Sequence, residues 1–197
     1  MADQDIERIL LTSIEIESKT EQLALDLNSA FRQWCSTEES PELVLVGVLK
    51  GSYMFMSDLS RKLAVLQVPH KIDFMTVSSY VDTNTTGNVK ILSDLRHSIQ
   101  DRHVVIVEDI LDSGLTLKYL INVLRVRQPK SLQVCVLLRK PTQVKVDIDA
   151  DTMVGFDLDP PEFVVGYGLD YNEHFRGLPY IGVPNKDAVE KYKSDSC

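Results

Sequence analysis

VVIVEDILDSGLTL, residues 104–117, decides how the rest of the chain is read. Val104, Val105, Ile106 and Val107 form a short β-branched run of the kind that builds a buried strand, and Leu117, Leu120, Ile121 and Leu124 then recur at helical spacing. A strand therefore runs into a helix. The turn between them carries Glu108, Asp109, Asp112, Ser113, Gly114 and Thr116, where a purely structural turn needs only one or two polar residues.

That turn has the makings of a phosphate site. At the start of the helix the backbone N–H groups of Ser113, Gly114, Leu115 and Thr116 lack intrahelical partners and carry the positive end of the helix dipole. Gly114 lets the main chain approach a ligand, and the Ser113 and Thr116 hydroxyls add donors. Glu108, Asp109 and Asp112 would repel a bare phosphate. A ligand with both a phosphate and a vicinal diol resolves the conflict, because carboxylates accept hydrogen bonds from sugar hydroxyls. The pattern is neither the dinucleotide fingerprint nor the Gly-Lys-Ser/Thr phosphate loop.

Working outward, Leu43, Val44, Leu45, Val46, Gly47 and Val48 read as a strand buried on both faces. Phe55, Leu59, Leu63 and Leu66 follow at helical spacing, 71–79 is a further strand, and 131–138 another. Strands alternating with helices predict an α/β fold with a largely parallel central sheet. Upstream, Ser18, Lys19, Thr20 and Glu21 have capping-box spacing, and Leu23, Ala24, Leu27, Ala30, Phe31 and Trp34 mark the packing face of the helix they would start. Residues 163–167 read as a short closing strand.

Several turns admit chemistry. Leu49, Lys50, Gly51 and Ser52 lie where a strand gives way to a helix, so they should face the same crevice as Asp112, outside the carboxyl ends of the strands. Arg139, Lys140 and Pro141 end another strand. Residues 79–88, poor in apolar side chains, predict a long loop, and either a lid or a plain hairpin satisfies that composition.

With 197 residues and 44% hydrophobic content the chain supports one domain with one substantial core. A net charge of −8 argues against general binding to nucleic acid or a membrane surface, and no apolar run approaches a membrane span. An acidic protein handling a polyanion needs a divalent cation, so magnesium is expected. Cys35, Cys135 and Cys197 have no metal-ligand spacing and fit a reducing compartment, with the cytoplasm as the default location. His70, His97, His103 and His174 are scattered and offer no ligand set.

The thirteen residues VVIVEDILDSGLT resemble the phosphoribosyl-diphosphate (PRPP) signature of type I phosphoribosyltransferases. FVVGYGLDYNEHFR, residues 163–176, resembles the base- and metal-binding end of that family's 6-oxopurine branch, the hypoxanthine-guanine phosphoribosyltransferases. The resemblance implies a single domain over 1–197, its core at about 40–160 and a small hood built from the N-terminal residues and about 161–197. It implies transfer of the 5-phosphoribosyl group from PRPP to hypoxanthine or guanine, releasing pyrophosphate. Glu108 and Asp109 would then hold the ribose, and Asp112, Ser113, Gly114, Leu115 and Thr116 the 5-phosphate. Asp112 would also share the purine N7 proton.

On the same resemblance Lys50, Gly51 and Arg176 serve the pyrophosphate, often with a cis peptide in the Leu-Lys-Gly turn. Lys140, Phe163, Val164 and Asp170 serve the purine, and Asp170 with Glu108 and Asp109 holds magnesium. Ser79 and Tyr80 resemble the tip of a closing loop. Gly168 stands where many relatives carry Ala, a change expected to matter little. A homodimer or homotetramer is implied. A regulatory module that keeps the PRPP pocket would add a nucleic-acid surface, for which this acidic chain offers no sign, and orotate, uracil or adenine as the base fit poorly with Lys140 and 163–176.

Overall fold

The computed structural model describes residues 4–35, 41–82 and 85–193, with the backbone course alone for 79–82 and 85–88. Within these residues the chain runs β1 (Ile6–Leu11), α1 (Ser13–Trp34), β2 (Leu43–Leu49), α2 (Tyr53–Val65), β3 (His70–Asp82) and β4 (Thr85–Ser93). It continues through β5 (His103–Leu111), α3 (Leu115–Arg125), β6 (Ser131–Arg139), β7 (Thr152–Asp157), β8 (Ile181–Pro184) and α4 (Lys186–Lys191). Six strands form the main sheet in the order β4-β3-β2-β5-β6-β7, while β1 and β8 make a separate antiparallel pair that joins the two ends of the chain.

The main sheet is parallel from β3 to β7, and only β4 runs antiparallel, against β3. Its central strands are apolar throughout because alternate residues serve opposite faces. Leu43, Leu45, Val105, Val107, Cys135 and Leu137 pack with α1 and α2 on one side. Val44, Val46, Val104, Ile106, Val134 and Val136 pack with Leu117, Leu120, Ile121 and Leu124 of α3 on the other. Each fully buried Leu or Val of this kind contributes about 1.5–3 kcal/mol relative to leaving it exposed.

Chain order reverses between β2 and β5: from β2 the chain steps outward to β3 and β4, then returns to lay β5 along the other edge of β2. In an open α/β sheet a crevice opens at such a switch point, at the carboxyl ends of the strands. The turns after β2 and β5 flank it.

Several elements differ from the expectation. Of the two arrangements open for 79–88, the described residues form the hairpin, with more regular strand than a long loop: β3 continues to Asp82 and β4 begins at Thr85, with Ser79 opposite Val89 and Tyr80 opposite Asn88. Backbone pairing holds such an arm together whatever its side chains. The side chains of Ser79 and Tyr80 lie outside the described residues. Helix α1 starts six residues before the predicted box: Thr12 is the N-cap, Glu15 N–H donates to Thr12 Oγ1 at 3.3 Å, and Thr12 N–H donates to Glu15 Oε2 at 2.8 Å. Ser18 and Glu21 fall inside the helix. Residues 163–167 form no strand, only isolated bridges from Val165 to Gly182 and from Gly166 to Leu169. Strands β1, β7 and β8 and helix α4 have no counterpart in the sequence reading.

Candidate active site

Three turns stand side by side at the carboxyl ends of β2, β5 and β6. After β2 comes Lys50-Gly51, after β5 Asp112-Ser113-Gly114, and after β6 Lys140. A fourth segment, 168–176, folds over the first.

The central turn is shorter than its sequence suggests. Strand β5 runs on through Glu108, Asp109 and Ile110 to Leu111, so both leading acids lie on the strand rather than in the turn. Glu108 is only 9% exposed. Burial, followed by the neighbouring Asp109 charge, pushes its carboxyl well above the usual range. Burial likewise pushes Asp109 up to about 6, partly offset by backbone hydrogen bonds and the positive charge of Arg176. Helix α3 starts at Gly114, which takes φ +78 and leaves the helix without a side-chain cap. Asp112 and Leu115 are exposed, Ser113 and Thr116 half-buried, and Gly114 between them buried. From behind, Val146, Ile148 and Leu111 crowd Gly114 closely enough that a Cβ there would touch all three. Ser113 carbonyl accepts from Lys145 N–H at 3.0 Å. The loop after β6 is therefore the footing of the turn.

Lys140 reaches across from the end of β6 and donates to Asp112 Oδ2 at 3.2 Å. Its side chain is 13% exposed and that of Asp112 52%, so the ammonium lies at the base of the crevice with the carboxylate at its mouth.

The Leu49–Lys50 peptide bond is cis. Gly51 sits so close to β5 that a Cβ would overlap the Asp109 carboxylate. Ser52, fully buried, donates to Val48 carbonyl at 2.7 Å and ties the turn to its own strand. Gly168 takes φ +101, and a Cβ there would overlap the Gly51 carbonyl oxygen. The expectation that its identity matters little is thus corrected: in this backbone the missing side chain is what lets the two turns stack.

Arg176 is more heavily engaged than a free ligand-binding cation. Its Nη1 donates to Gly168 carbonyl at 2.8 Å, and its Nη2 lies 2.9 Å from Asp170 Oδ1 and 3.2 Å from Glu173 Oε1. Asp170 Oδ2 also accepts from Glu173 N–H at 2.8 Å. Tyr53 Oη donates to Arg176 carbonyl at 3.2 Å, linking the segment to the first turn of α2. Lys50 Nζ lies 2.7 Å from Glu173 Oε2. The Lys50 ammonium first, then Arg176, holds the Glu173 carboxyl below its usual range. Glu173 and Tyr53 are absent from the sequence-derived site. The i,i+3 spacing of Glu173 and Arg176 hints at their pairing, but nothing local hints at Lys50.

Phe163 is 52% exposed and meets Tyr171 edge-on at 5.7 Å, so it is no core residue, whereas Val164 is 5% exposed. Among the described residues no group of three or more His, Cys, Asp or Glu is placed to hold a metal. Glu108, Asp109 and Asp170 therefore do not close into a ready-made cage. Among the described residues no helix is long and apolar enough to cross a membrane.

Comparison with known proteins places this geometry. Residues 16–172 match the phosphoribosyl transferase domain model. Hypoxanthine phosphoribosyltransferase of Salmonella typhimurium is 45% identical over 88% of this chain and 93% of its own length. Hypoxanthine-guanine phosphoribosyltransferase of Dictyostelium discoideum is 41% identical over 93% and 98%. A crystal structure of Staphylococcus aureus hypoxanthine phosphoribosyltransferase superposes with a TM-score of 0.84 at 43% identity, covering 97% of this chain and 96% of that one. The matched span takes in every strand of the main sheet and the turns bearing Lys50, Asp112 and Lys140, and the chain belongs to the phosphoribosyltransferase family.

Proposed function

We propose that this chain transfers the 5-phosphoribosyl group from PRPP to hypoxanthine or guanine, giving IMP or GMP and pyrophosphate, as a purine salvage enzyme. The observation that carries the reading is the Lys140–Asp112 pair, a donor and an acceptor 3.2 Å apart beside an amide-lined turn. A 6-oxopurine offers the complementary edge. Its O6 accepts from Lys140, which can only donate, and its N7–H donates to Asp112. Adenine presents an amino group where Lys140 needs an acceptor.

In this reading the amides from Ser113 to Thr116 hold the 5-phosphate at the start of α3. Glu108 and Asp109 attend the ribose hydroxyls, and Lys50, the Gly51 amide and Arg176 serve the pyrophosphate. Phe163 stacks on the base and Val164 presents its main chain to the base edge, with Asp170 nearby. As the bond from the anomeric carbon to the pyrophosphate oxygen breaks, positive charge grows on the ribose ring, and the carboxylates beside it favour that charge. The purine nitrogen then bonds to the anomeric carbon while Asp112 takes or shares the N7 proton.

The residues present fit a divalent cation. Two neighbouring carboxyls, Glu108 and Asp109, are both held above their usual range by burial, so a positive charge beside them is favoured. Magnesium commonly takes one or two protein carboxylates and fills its shell with water and phosphate oxygens, which suits a site with no three-ligand protein cage. When bound it would neutralise charge on the pyrophosphate. Ser79 and Tyr80, in the outer part of the β3–β4 arm, keep a proposed role in closing over the site. We read 1–197 as one domain with a core at about 40–160 and a hood formed by the chain ends.

Cys135, a buried thiol outside any disulfide, supports a cytoplasmic setting. Ile72 and Phe74, two residues apart on β3 and 44% and 36% exposed, support a homodimer or homotetramer in which a second copy covers that face. The test of function is a coupled assay of pyrophosphate release with PRPP and magnesium against hypoxanthine, guanine, xanthine, adenine and orotate. Turnover with hypoxanthine or guanine, and little with adenine or orotate, is expected. Turnover with adenine or orotate alone would overturn the base assignment.

A further inference from the structure

Lys50 and Arg176, the two cations given to the pyrophosphate above, converge on one side chain. Glu173 offers Oε2 to Lys50 Nζ at 2.7 Å and Oε1 to Arg176 Nη2 at 3.2 Å, one oxygen for each. A single carboxylate thus bridges a cation on its own segment and one 123 residues away from it, as a small bound anion would.

The local backbone aims it there. Asn172, Glu173 and Phe175 all take positive φ, at +47, +67 and +73, and Tyr171 and His174 close a bridge across the turn. Left-handed backbone at three non-glycine positions in one short turn is costly and needs support from its surroundings. That support comes in part from Asp170, whose Oδ2 accepts the Glu173 N–H at 2.8 Å. The Glu173 side chain itself is 63% exposed, so its carboxylate can swing away from the cations without unpacking a core residue. Arg176 is different: its side chain is 19% exposed, Nη1 is fixed to Gly168 carbonyl, and its buried Nε meets no acceptor among the described residues. Arg176 stays in place, Lys50, 62% exposed, can follow whichever anion it pairs with, and the Glu173 carboxylate is free to leave.

We propose that Glu173 is an internal stand-in for the diphosphate, holding Lys50 and Arg176 in the ligand-free protein and competing with PRPP and pyrophosphate for them. The inference rests on the reading of this crevice as a PRPP site. A diphosphate carries more negative charge and more acceptor oxygens than one carboxylate, so it wins the cations, and Glu173, now beside a like charge, swings out. Whatever free energy holds Glu173 in place is subtracted from the binding of any anion that replaces it. The residue therefore loosens PRPP, but it loosens departing pyrophosphate by the same factor, and product release gains what substrate binding loses.

The test compares wild type, Glu173→Gln and Glu173→Asp. Inorganic pyrophosphate binding is measured by calorimetry with magnesium in excess, alongside steady-state kinetics in PRPP and a thermal melt. Glu173→Gln keeps the shape but removes the charge. It should bind pyrophosphate about three- to tenfold more tightly, the range expected for losing two partly exposed ion pairs. Its KM for PRPP should fall without a rise in kcat. Glu173→Asp keeps the charge but is too short to reach both cations, and should tighten pyrophosphate by a smaller factor. If both variants melt like wild type and bind pyrophosphate equally or more weakly, Glu173 positions the turn and competes with nothing, and the inference fails. A Gln variant that melts early leaves the decision to Asp, where unchanged or weaker binding likewise overturns it. Wild type that neither binds pyrophosphate nor turns over PRPP would instead bring down the reading of the site, and this inference with it.

Discussion

At Gly51 one hydrogen in place of a side chain settles how closely the turn after β2 approaches β5. A Cβ there would overlap the Asp109 carboxylate, and the Gly51 carbonyl in turn lies where a Cβ on Gly168 would fall. The Gly168 segment thus lies on the Gly51 main chain with no side chain between them, while the Asp109 carboxylate of β5 fills the space that a Gly51 side chain would need. Gly51→Ala must push Asp109 aside or lift the Lys50 turn. We expect kcat/KM for PRPP to fall at least about tenfold, equivalent to about 1.4 kcal/mol of lost transition-state binding, with the KM for hypoxanthine moving much less. Gly177→Ala is the control. Nothing lies within 4 Å of a Cβ at that position, so its kinetics and melting temperature should match wild type. Cys135 supplies the opposite lesson at this scale, since it is fully buried in β6 and burial pushes its thiol up to about 12, which suits packing rather than chemistry.

Among the elements, those buried on both faces were legible because a short unbroken apolar run bounded by turn residues is what a covered central strand needs. β2 is buried over all but its last residue, and the buried runs of β5 and β6 hold the apolar stretches 104–107 and 134–138. The edges were not legible. TMVGFD in β7 is half-buried along most of its length and shows neither alternation nor a continuous apolar run, so only its ladder with β6 identifies it. In the β3–β4 arm, polar side chains hid a backbone ladder. Helix α1 exposes a different ambiguity, because Thr12–Glu15 and Ser18–Glu21 both fit the capping pattern. Packing decides between them. Ile16 and Thr20 are buried in line with Leu23 and Leu27, and Thr20 returns its hydroxyl proton to Ile16 carbonyl at 2.8 Å, so the buried stripe continues upstream of Ser18. Thr12→Ala should therefore cost about 1 kcal/mol in urea denaturation, the usual worth of an N-cap. Ser18→Ala, at an exposed mid-helix position, should be neutral or slightly stabilising. A larger loss at Ser18 than at Thr12 would return the helix start to its predicted place.

Over the whole molecule, the site divides into a part the sequence could show and a part it could not. The turns bearing Asp112, Lys50 and Lys140 each follow a strand, so their position at one end of the sheet follows from topology. The partnership of Glu173 with Lys50 spans 123 residues and leaves no local trace. The same holds for the way the chain ends reach the crevice. Asn185 N–H donates to Asp5 carbonyl at 3.0 Å, its Nδ2 donates to Gln4 carbonyl at 2.7 Å, and Tyr192 Oη donates to Asp5 Oδ2 at 3.2 Å. Tyr192 then turns inward: its carbonyl accepts from Asn172 Nδ2 at 2.8 Å, and its ring lies 4.2 Å from that of His174 and 5.1 Å from that of Phe175. The two termini thus clamp each other and, through one tyrosine, brace the segment that carries Asp170, Glu173 and Arg176. Removing the ring should slacken that segment while leaving the Asp112 turn and Lys140, on the far side of the crevice, as they are. We expect Tyr192→Ala to raise the KM for PRPP several-fold with a smaller change in kcat, and to lower the melting temperature. Tyr192→Phe keeps both ring contacts and gives up only the hydroxyl bond to Asp5, so it should recover most of the PRPP affinity. Equal losses in the two variants would mean that the hydroxyl, and so the clamp between the termini, matters more to the crevice than the ring contacts. A wild-type KM in Tyr192→Ala would show that the segment holds its shape without the tail.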